Sequence, residues 1–300
     1  GGFRKRLILY GLNSLQVSGE ATMTRIESVF ASVTVFGLSA CAQTTSPLLD
    51  PNSCELVPVF MEDFDTLSVS PNRIGPARWT AHTPWWGDFG DAKFTNPKAE
   101  GPFFVEDGML TIKAWIDDEG DWRSGLLAAA DRSGRGQGAQ YGYFESRMKF
   151  PEGPGTWPAF WLMPLVPARS VDGTVEIDIV EYYGHRTDRF SSVLHVRYDD
   201  KTRNDSNGER TSVPDGLLVN DFNTFGLDIS PSWIVFFLNG EEYWRQPTPD
   251  ALQYEMYPLV NLALGSGFPI DDTPNPSFMK VDYVHVYGRS ENDNCEPGLN

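Results

Sequence analysis

Positive charge is scarce in this chain. Its 24 Lys and Arg residues stand against 41 Asp and Glu, for a formal net charge of −17. Nucleic acid and anionic membrane surfaces both require a basic partner, so neither is expected here. Equally missing is a long, capped run of apolar residues at helical spacing, which argues against an α-helical core. After residue 54 there is no internal repeat, low-complexity tract or linker, and a single domain is the simplest account. The residues that are present point to β structure. Hydrophobic residues make up 40% of the chain, enough for a sizeable core, while 28 Gly and 22 Pro break it into short apolar or alternating segments. Such a pattern belongs to an all-β sandwich or barrel. Some of the nine Trp are expected in the core, but Trp is also the usual stacking surface for sugar rings.

The first fifty residues read as targeting sequence. Residues 1–22 carry no periodic pattern. Met23 then opens a segment with a basic Arg25, an apolar run from Val29 to Leu38 and small residues after it. This has the form of a secretory signal, too short to span a bilayer. Leu38-Ser39-Ala40-Cys41 resembles a bacterial lipobox, which would lipidate Cys41 and leave a membrane anchor; Ala40-Cys41-Ala42 also satisfies ordinary signal peptidase. The expected division is residues 1–42 for upstream and signal or lipoprotein peptide, 43–54 for a short linker, and 55–300 for the domain. A secreted protein, or a periplasmic or outer-membrane-anchored lipoprotein, is expected, and a monomer.

Along the domain the pattern predicts strands at Val57–Asp65, Ser192–Tyr198, Asn223–Ile229, Trp233–Leu238, Leu259–Leu264 and Val281–Tyr287. A hairpin is expected over Phe103–Trp115, turning at Asp107-Gly108. Tyr141–Phe150 alternates, with Tyr143, Glu145 and Arg147 on one face and Phe144, Ser146 and Met148 on the other. Thr156–Leu162 puts Trp157 and Trp161 on a common face. Arg78–Pro97 is aromatic and loop-like, with Trp79, Trp85 and Trp86 close together.

The most informative segment is Val175–Tyr183, which contains Glu176-Ile177-Asp178-Ile179-Val180-Glu181. In a regular strand Glu176 and Asp178 share a face and Glu181 points the other way, with the isoleucines. To share the acidic face, Glu181 needs one extra residue absorbed as a β-bulge, a feature enriched beside active sites. Hydrolysis of a glycosidic bond with retention needs two carboxyl groups roughly 5–5.5 Å apart. Four effective strand steps separate Glu176 and Glu181 by about 13 Å at the backbone, a gap that two long side chains leaning together can largely close. The shorter Asp178 between them suits hydrogen bonding and tuning, because crowded like charges keep one group protonated. An acidic strand face is by itself also what a solvated surface presents.

The surroundings sharpen this reading. Tyr-Gly-Tyr-Phe-Glu-Ser-Arg at 141–147, Gly-Thr-Trp-Pro-Ala-Phe-Trp-Leu at 155–162 and Glu-Ile-Asp-Ile-Val-Glu at 176–181 resemble, in order and spacing, glycoside hydrolase family 16. The inserted residue is similar to its bulged, laminarinase-like branch, and the resemblance covers about residues 55–288. It implies a β-jelly-roll sandwich of two antiparallel sheets with an open concave cleft, and endo-acting, retaining hydrolysis of a β-linked polysaccharide with no cofactor. It also implies Glu176 as nucleophile, Asp178 as helper and Glu181 as acid/base. Glu145, Arg147, Trp157, Trp161, His195 and Trp86 are the substrate-binding candidates. Cross-strand pairing remains the alternative for Glu145 and Arg147, and core packing the alternative for the two Trp of 156–162. The chain departs from the family at Phe222–Ile229, where a His and a Trp are common, and at Gly265-Ser266-Gly267, where a double Gly is usual.

By the same resemblance the terminal strands are neighbours, so Cys54 and Cys295 are expected to form a disulfide. A structural calcium is expected at Glu62, Gly108 and Asp282, whose oxygen ligands suit Ca²⁺. The segments Trp79–Phe94 and Ser124–Leu127 resemble bacterial exopolysaccharide depolymerases acting on succinoglycan-like polymers, with a β-1,3/1,4-glucan as the other substrate. A non-catalytic glycan-binding lipoprotein of the same fold is the alternative function.

Overall fold

The computed structural model describes residues 56–85, 87–165, 173–199 and 204–289. Cys41, Cys54, Cys295, the signal segment and Trp86 lie outside them. The described residues all belong to one compact unit, Ser46–Asn300.

The chain opens with β1 (Leu56–Glu62), then the short β2 (Val69–Ser70), β3 (Trp79–Thr80) and β4 (Lys93–Phe94). A hairpin of β5 (Phe103–Glu106) and β6 (Met109–Ile116) follows, with short β7 (Trp122–Ser124) and β8 (Leu126–Ala128). The central strands are β9 (Gly142–Lys149), β10 (Thr156–Pro164), β11 (Thr174–Glu181), β12 (Arg189–Arg197) and β13 (Asn204–Ser212). After a single helical turn, α1 (Leu217–Asn220), come β14 (Asn223–Ile229), β15 (Trp233–Leu238), β16 (Glu241–Pro247), β17 (Met256–Leu264) and β18 (Ser277–Arg289). The expected hairpin turn is present, with Asp107 and Gly108 both at positive φ (52° and 70°) as its type demands.

These strands form two sheets. One has ten strands, ordered β16-β15-β14-β9-β18-β6-β7-β4, with β1 added against β18 and β5 against β6. The other has eight, ordered β13-β12-β11-β10-β17-β8-β3-β2. Pairing is antiparallel except between β2 and β3 and between β4 and β7, where short strands run parallel. The expectation of wholly antiparallel sheets is corrected at these edges.

Alternation decides what lies between the sheets. Phe144, Ser146 and Met148 of β9, Phe160 and Leu162 of β10, and Ile177 and Ile179 of β11 are all buried. Each large side chain removed from water in this way contributes about 1.5–3 kcal/mol before entropy is counted. The opposite face of β10, β11 and β12 is left for Trp157, Trp161, Glu176, Asp178, Glu181 and His195. The core therefore holds the site by its underside.

Candidate active site

The site is built on a defect in β11. Asp178 stands opposite Val193, but the next pair on that side is Glu181 with Ser191, so three steps on β11 face two on β12. On the other side Val180 pairs with Phe160 and Asp178 with Trp161, again one residue in excess. This is the β-bulge that the spacing called for, and it turns Glu181 to the face of Glu176 and Asp178. A bulge frees a ladder carbonyl, and here that of Ile179 accepts from the Ser192 hydroxyl at 2.8 Å and the Tyr243 hydroxyl at 3.2 Å. With its odd carbonyl satisfied in the core, the irregularity is locked in place.

Each carboxylate then meets a different partner. Arg197 grips Glu176 as a fork, Nε donating to Oε2 at 2.9 Å and Nη2 to Oε1 at 2.8 Å. Asp178 is buried, with His195 Nε2 at 3.4 Å from its Oδ2. The other ring nitrogen of His195 lies 2.6 Å from the Ser206 hydroxyl. Glu181 Oε1 accepts from the Trp157 indole at 2.9 Å and the Tyr183 hydroxyl at 3.2 Å.

These surroundings separate the acids. Burial pushes Asp178 up to about 7, helped by the charges of Glu181 and Glu176 and opposed by His195. Burial also pushes Glu181 upward, against the pull of its Trp157 and Tyr183 hydrogen bonds, with the charge of Glu176 adding to the rise. Burial alone would lower His195, but its contact with Asp178 and the nearby acids raise it overall. The arrangement offers one carboxylate paired with a cation and one carboxyl held toward its protonated form, as a nucleophile and an acid require.

The aromatic candidates divide. Trp157 is half-buried, bonds Glu181 and stacks near Tyr183 with ring centroids 6.2 Å apart. Trp161 is only 5% exposed: its indole donates to Asn261 at 2.8 Å, and Trp85 and Phe89 pack edge-on against it at 5.8 Å. Trp161 thus builds the floor of the site.

Glu145 and Arg147 require a correction. Both lie on β9, in the ten-stranded sheet, on the face turned away from the other sheet. Glu145 accepts from the Tyr143 and Tyr283 hydroxyls at 2.9 and 2.6 Å, and Arg147 pairs with Asp282 at 2.6 Å beneath the Phe222 ring. Alternation assigned their face on the strand correctly. Which sheet the strand joins is a tertiary matter, and it places the whole core between this pair and the three acids.

The expected calcium ligands are also engaged with protein. Glu62 accepts from the Phe64 amide, Arg78 and the Trp79 indole through its two oxygens, and Asp282 is held by Arg147. Gly108 lies in the β5–β6 turn. Two carboxylates already neutralised by guanidinium groups do not fit a cation cage. Among the described residues, the cluster with metal-ligand spacing is Glu176, Asp178 and His195, whose ligand atoms lie within 4.8 Å of one another. Arg197 already supplies Glu176 with its positive charge.

Sequence reading missed Arg197, Ser206 and Asn261. Arg197 was within reach, since it follows His195 by two residues and must share its face. Ser206 was not, because its strand β13 (Asn-Asp-Ser-Asn-Gly-Glu-Arg-Thr-Ser) has no apolar residue to betray it.

A model of glycosyl hydrolases family 16 matches residues 130–285. Among characterised proteins, the chain is similar to two from Rhizobium meliloti named endo-1,3-1,4-beta-glycanase, ExsH and EglC. Each is 31% identical, over 76% and 77% of this chain and 51% and 52% of theirs. The chain thus spans about half the length of these relatives. A glucan endo-1,3-beta-glucosidase of Cryptopygus antarcticus is also 31% identical, over 67% of this chain and 70% of that protein. Among solved structures, the laminarinase from Rhodothermus marinus superposes with a TM-score of 0.63 at 24% identity, covering 79% of this chain and 99% of that one. This likeness identifies the fold as the family's β-jelly-roll.

Proposed function

The chain belongs to glycosyl hydrolases family 16, and on that premise we propose that it is a secreted, endo-acting β-glycan hydrolase of the retaining type. The observation that carries the proposal is the bulge that sets Glu176, Asp178 and Glu181 on one face in three different electrostatic settings. Glu176, gripped by Arg197, attacks the anomeric carbon. Glu181 gives its proton to the departing glycosidic oxygen and later takes one from water. Asp178 and His195 stand beside Glu176 and share charge with it. A binding-only module would have no use for three intact acids in this arrangement.

The substrate proposed is a β-linked polysaccharide, either a succinoglycan-like bacterial exopolysaccharide or a β-1,3/1,4-glucan. Export through the segment after Met23 belongs to the same proposal, with a lipid anchor at Cys41. So does a Cys54–Cys295 disulfide, since β1 and β18 pair from Leu56↔Arg289 and lay the described chain ends side by side.

The test is to incubate the protein with mixed-linkage glucan, laminarin and acidic exopolysaccharide, size the products, and follow the first-formed reducing ends by proton NMR. Internal cleavage with release of the β-anomer is expected. Release of the α-anomer from a β-linked glycan means inversion and overturns the assignment of roles.

A further inference from the structure

The face that carries the acids has two unlike flanks. Toward β10 and β17 it is aromatic, with Trp157 and Trp161 packed by Phe89 and Trp85. Toward β12 and β13 it opens into a depression of about 660 Å³ that begins at Glu181 and is bordered by Arg186, Arg189 and Arg210. Three guanidinium groups in one depression are unexpected in a chain of net charge −17.

Register explains how this patch arises. Directly opposite residues on neighbouring strands share a face. Glu181 pairs with Ser191 and Ser191 with Arg210, so Arg210 lies in the same lateral row as the acid/base candidate, two strands away. Two strand spacings are roughly 10 Å. In the next row Asp178 pairs with Val193 and Val193 with Gly208, where the missing side chain keeps the depression open.

The same alternation sets the acids of β13 off the row of Arg210. Glu209 pairs with Ser192, and Asp205 with Val196. Ser192 and Val196 are buried on the core side, so Glu209 and Asp205 alternate away from the row of Arg210, while Glu209 still borders the depression. Asp188 pairs with Arg189 at 2.6 Å and neutralises it. Arg186 donates to the ring of His185 at 3.3 Å and lies within the field of Asp188, and Arg210 is exposed. Among the described residues neither forms a salt bridge to a carboxylate. The depression thus gathers Arg186 and Arg210 beside the acids Glu181 and Glu209, a higher share of positive charge than the chain as a whole carries.

A polymer threaded between Glu176 and Glu181 must cross β11, because these two are separated along that strand. One arm of the chain then lies on the aromatic flank and the other on the basic one. We propose that the basic flank is a subsite for a carboxylate-bearing sugar, held by Arg210 and Arg186. This rests on the glycanase reading for the path of the chain. Arginine suits the task because its planar fork matches a carboxylate with two parallel hydrogen bonds.

Binding can test this without turnover. The Glu181→Gln protein, which keeps the Arg197–Glu176 pair, is titrated calorimetrically with oligosaccharides of a mixed-linkage β-glucan and with the same oligosaccharides oxidised at C6 to carboxylates. The oxidised set is expected to bind roughly three- to tenfold tighter at low salt. That advantage should vanish when Arg186→Gln and Arg210→Gln are added, with unchanged melting temperature showing that the fold is intact. Equal affinity for the two sets, or an advantage that survives the double substitution, overturns the proposal. Hydrolysis of neutral glucan by the unaltered protein is scored separately. Absence of hydrolysis on that glucan and on acidic exopolysaccharide alike would sink the hydrolase reading, while the ratio of affinities still decides the subsite.

Discussion

Arg197 and Glu176 are joined by two parallel hydrogen bonds, of 2.9 and 2.8 Å, across neighbouring strands of one sheet. The pair lies beside two other carboxyl groups that burial disposes toward protonation. Held this way, Glu176 keeps its aim. Arg197→Gln should lower kcat by roughly 10- to 100-fold, the value of a charge-assisted hydrogen bond, with a smaller change in KM. Arg197→Lys should recover only part of this, because an ammonium cannot reproduce the fork. Steady-state kinetics on one soluble glucan decide it, and equal KM and kcat effects would reassign Arg197 to substrate binding.

The two glutamates should fail differently. Glu176→Gln removes the attacking group, and turnover should fall by on the order of 10⁴ on every substrate. Glu181→Gln should cost about 10²–10⁴ on natural glycans and far less in the first step of an aryl glycoside with a good leaving group. Azide should then rescue the second step and yield the β-azide. The charge of Glu176 helps hold Glu181 toward its protonated form, and esterification of Glu176 removes that charge. The acid of the first step is then more readily ionised and so available as the base of the second.

Trp157 donates to Glu181 and pulls its pKa down against burial. Trp157→Phe removes a bond to the charged form, so Glu181 should protonate more readily. The alkaline limb of the kcat/KM profile should move to higher pH. A limb that moves down, or stays put, would mean that another group is the acid.

Asp178 carries a cost in stability. Folding raises its pKa from 3.8 to about 7, so its charged form is disfavoured in the native state. That cost is absent at pH 3 and complete above pH 7. His195, whose pKa is also raised, contributes the other way, with stability that is present below 6.5 and lost as pH rises. At pH 8 the Asp178 cost is complete, and Asp178→Asn should raise stability by up to roughly 4 kcal/mol. The melting temperature should rise by roughly 5 °C or more at pH 8, and the gain should disappear at pH 4. A wild type more stable than the variant at pH 8 would contradict this account.

The sequence by itself determined the long strands and the chemistry of the central one. Apolar residues at period two mark β9 and β14, because only an extended chain segregates them to one face, and short apolar runs bounded by turns mark β10 and β15. The extra residue between Asp178 and Glu181 announced the bulge, since three acids could not otherwise share a side. What only the tertiary structure decided is which faces meet. The family resemblance implied cleft positions for Glu145 and Arg147, yet sheet order sends them to the far side of the core. β13 was invisible because an exposed edge strand buries nothing, and a strand that buries nothing leaves no hydrophobic period. Its pairing with β12 brings Ser206 to His195 and Arg210 into the row of Glu181. Local pattern records what each strand must hide from water, while the partner that hides it is chosen by the packing of the whole chain.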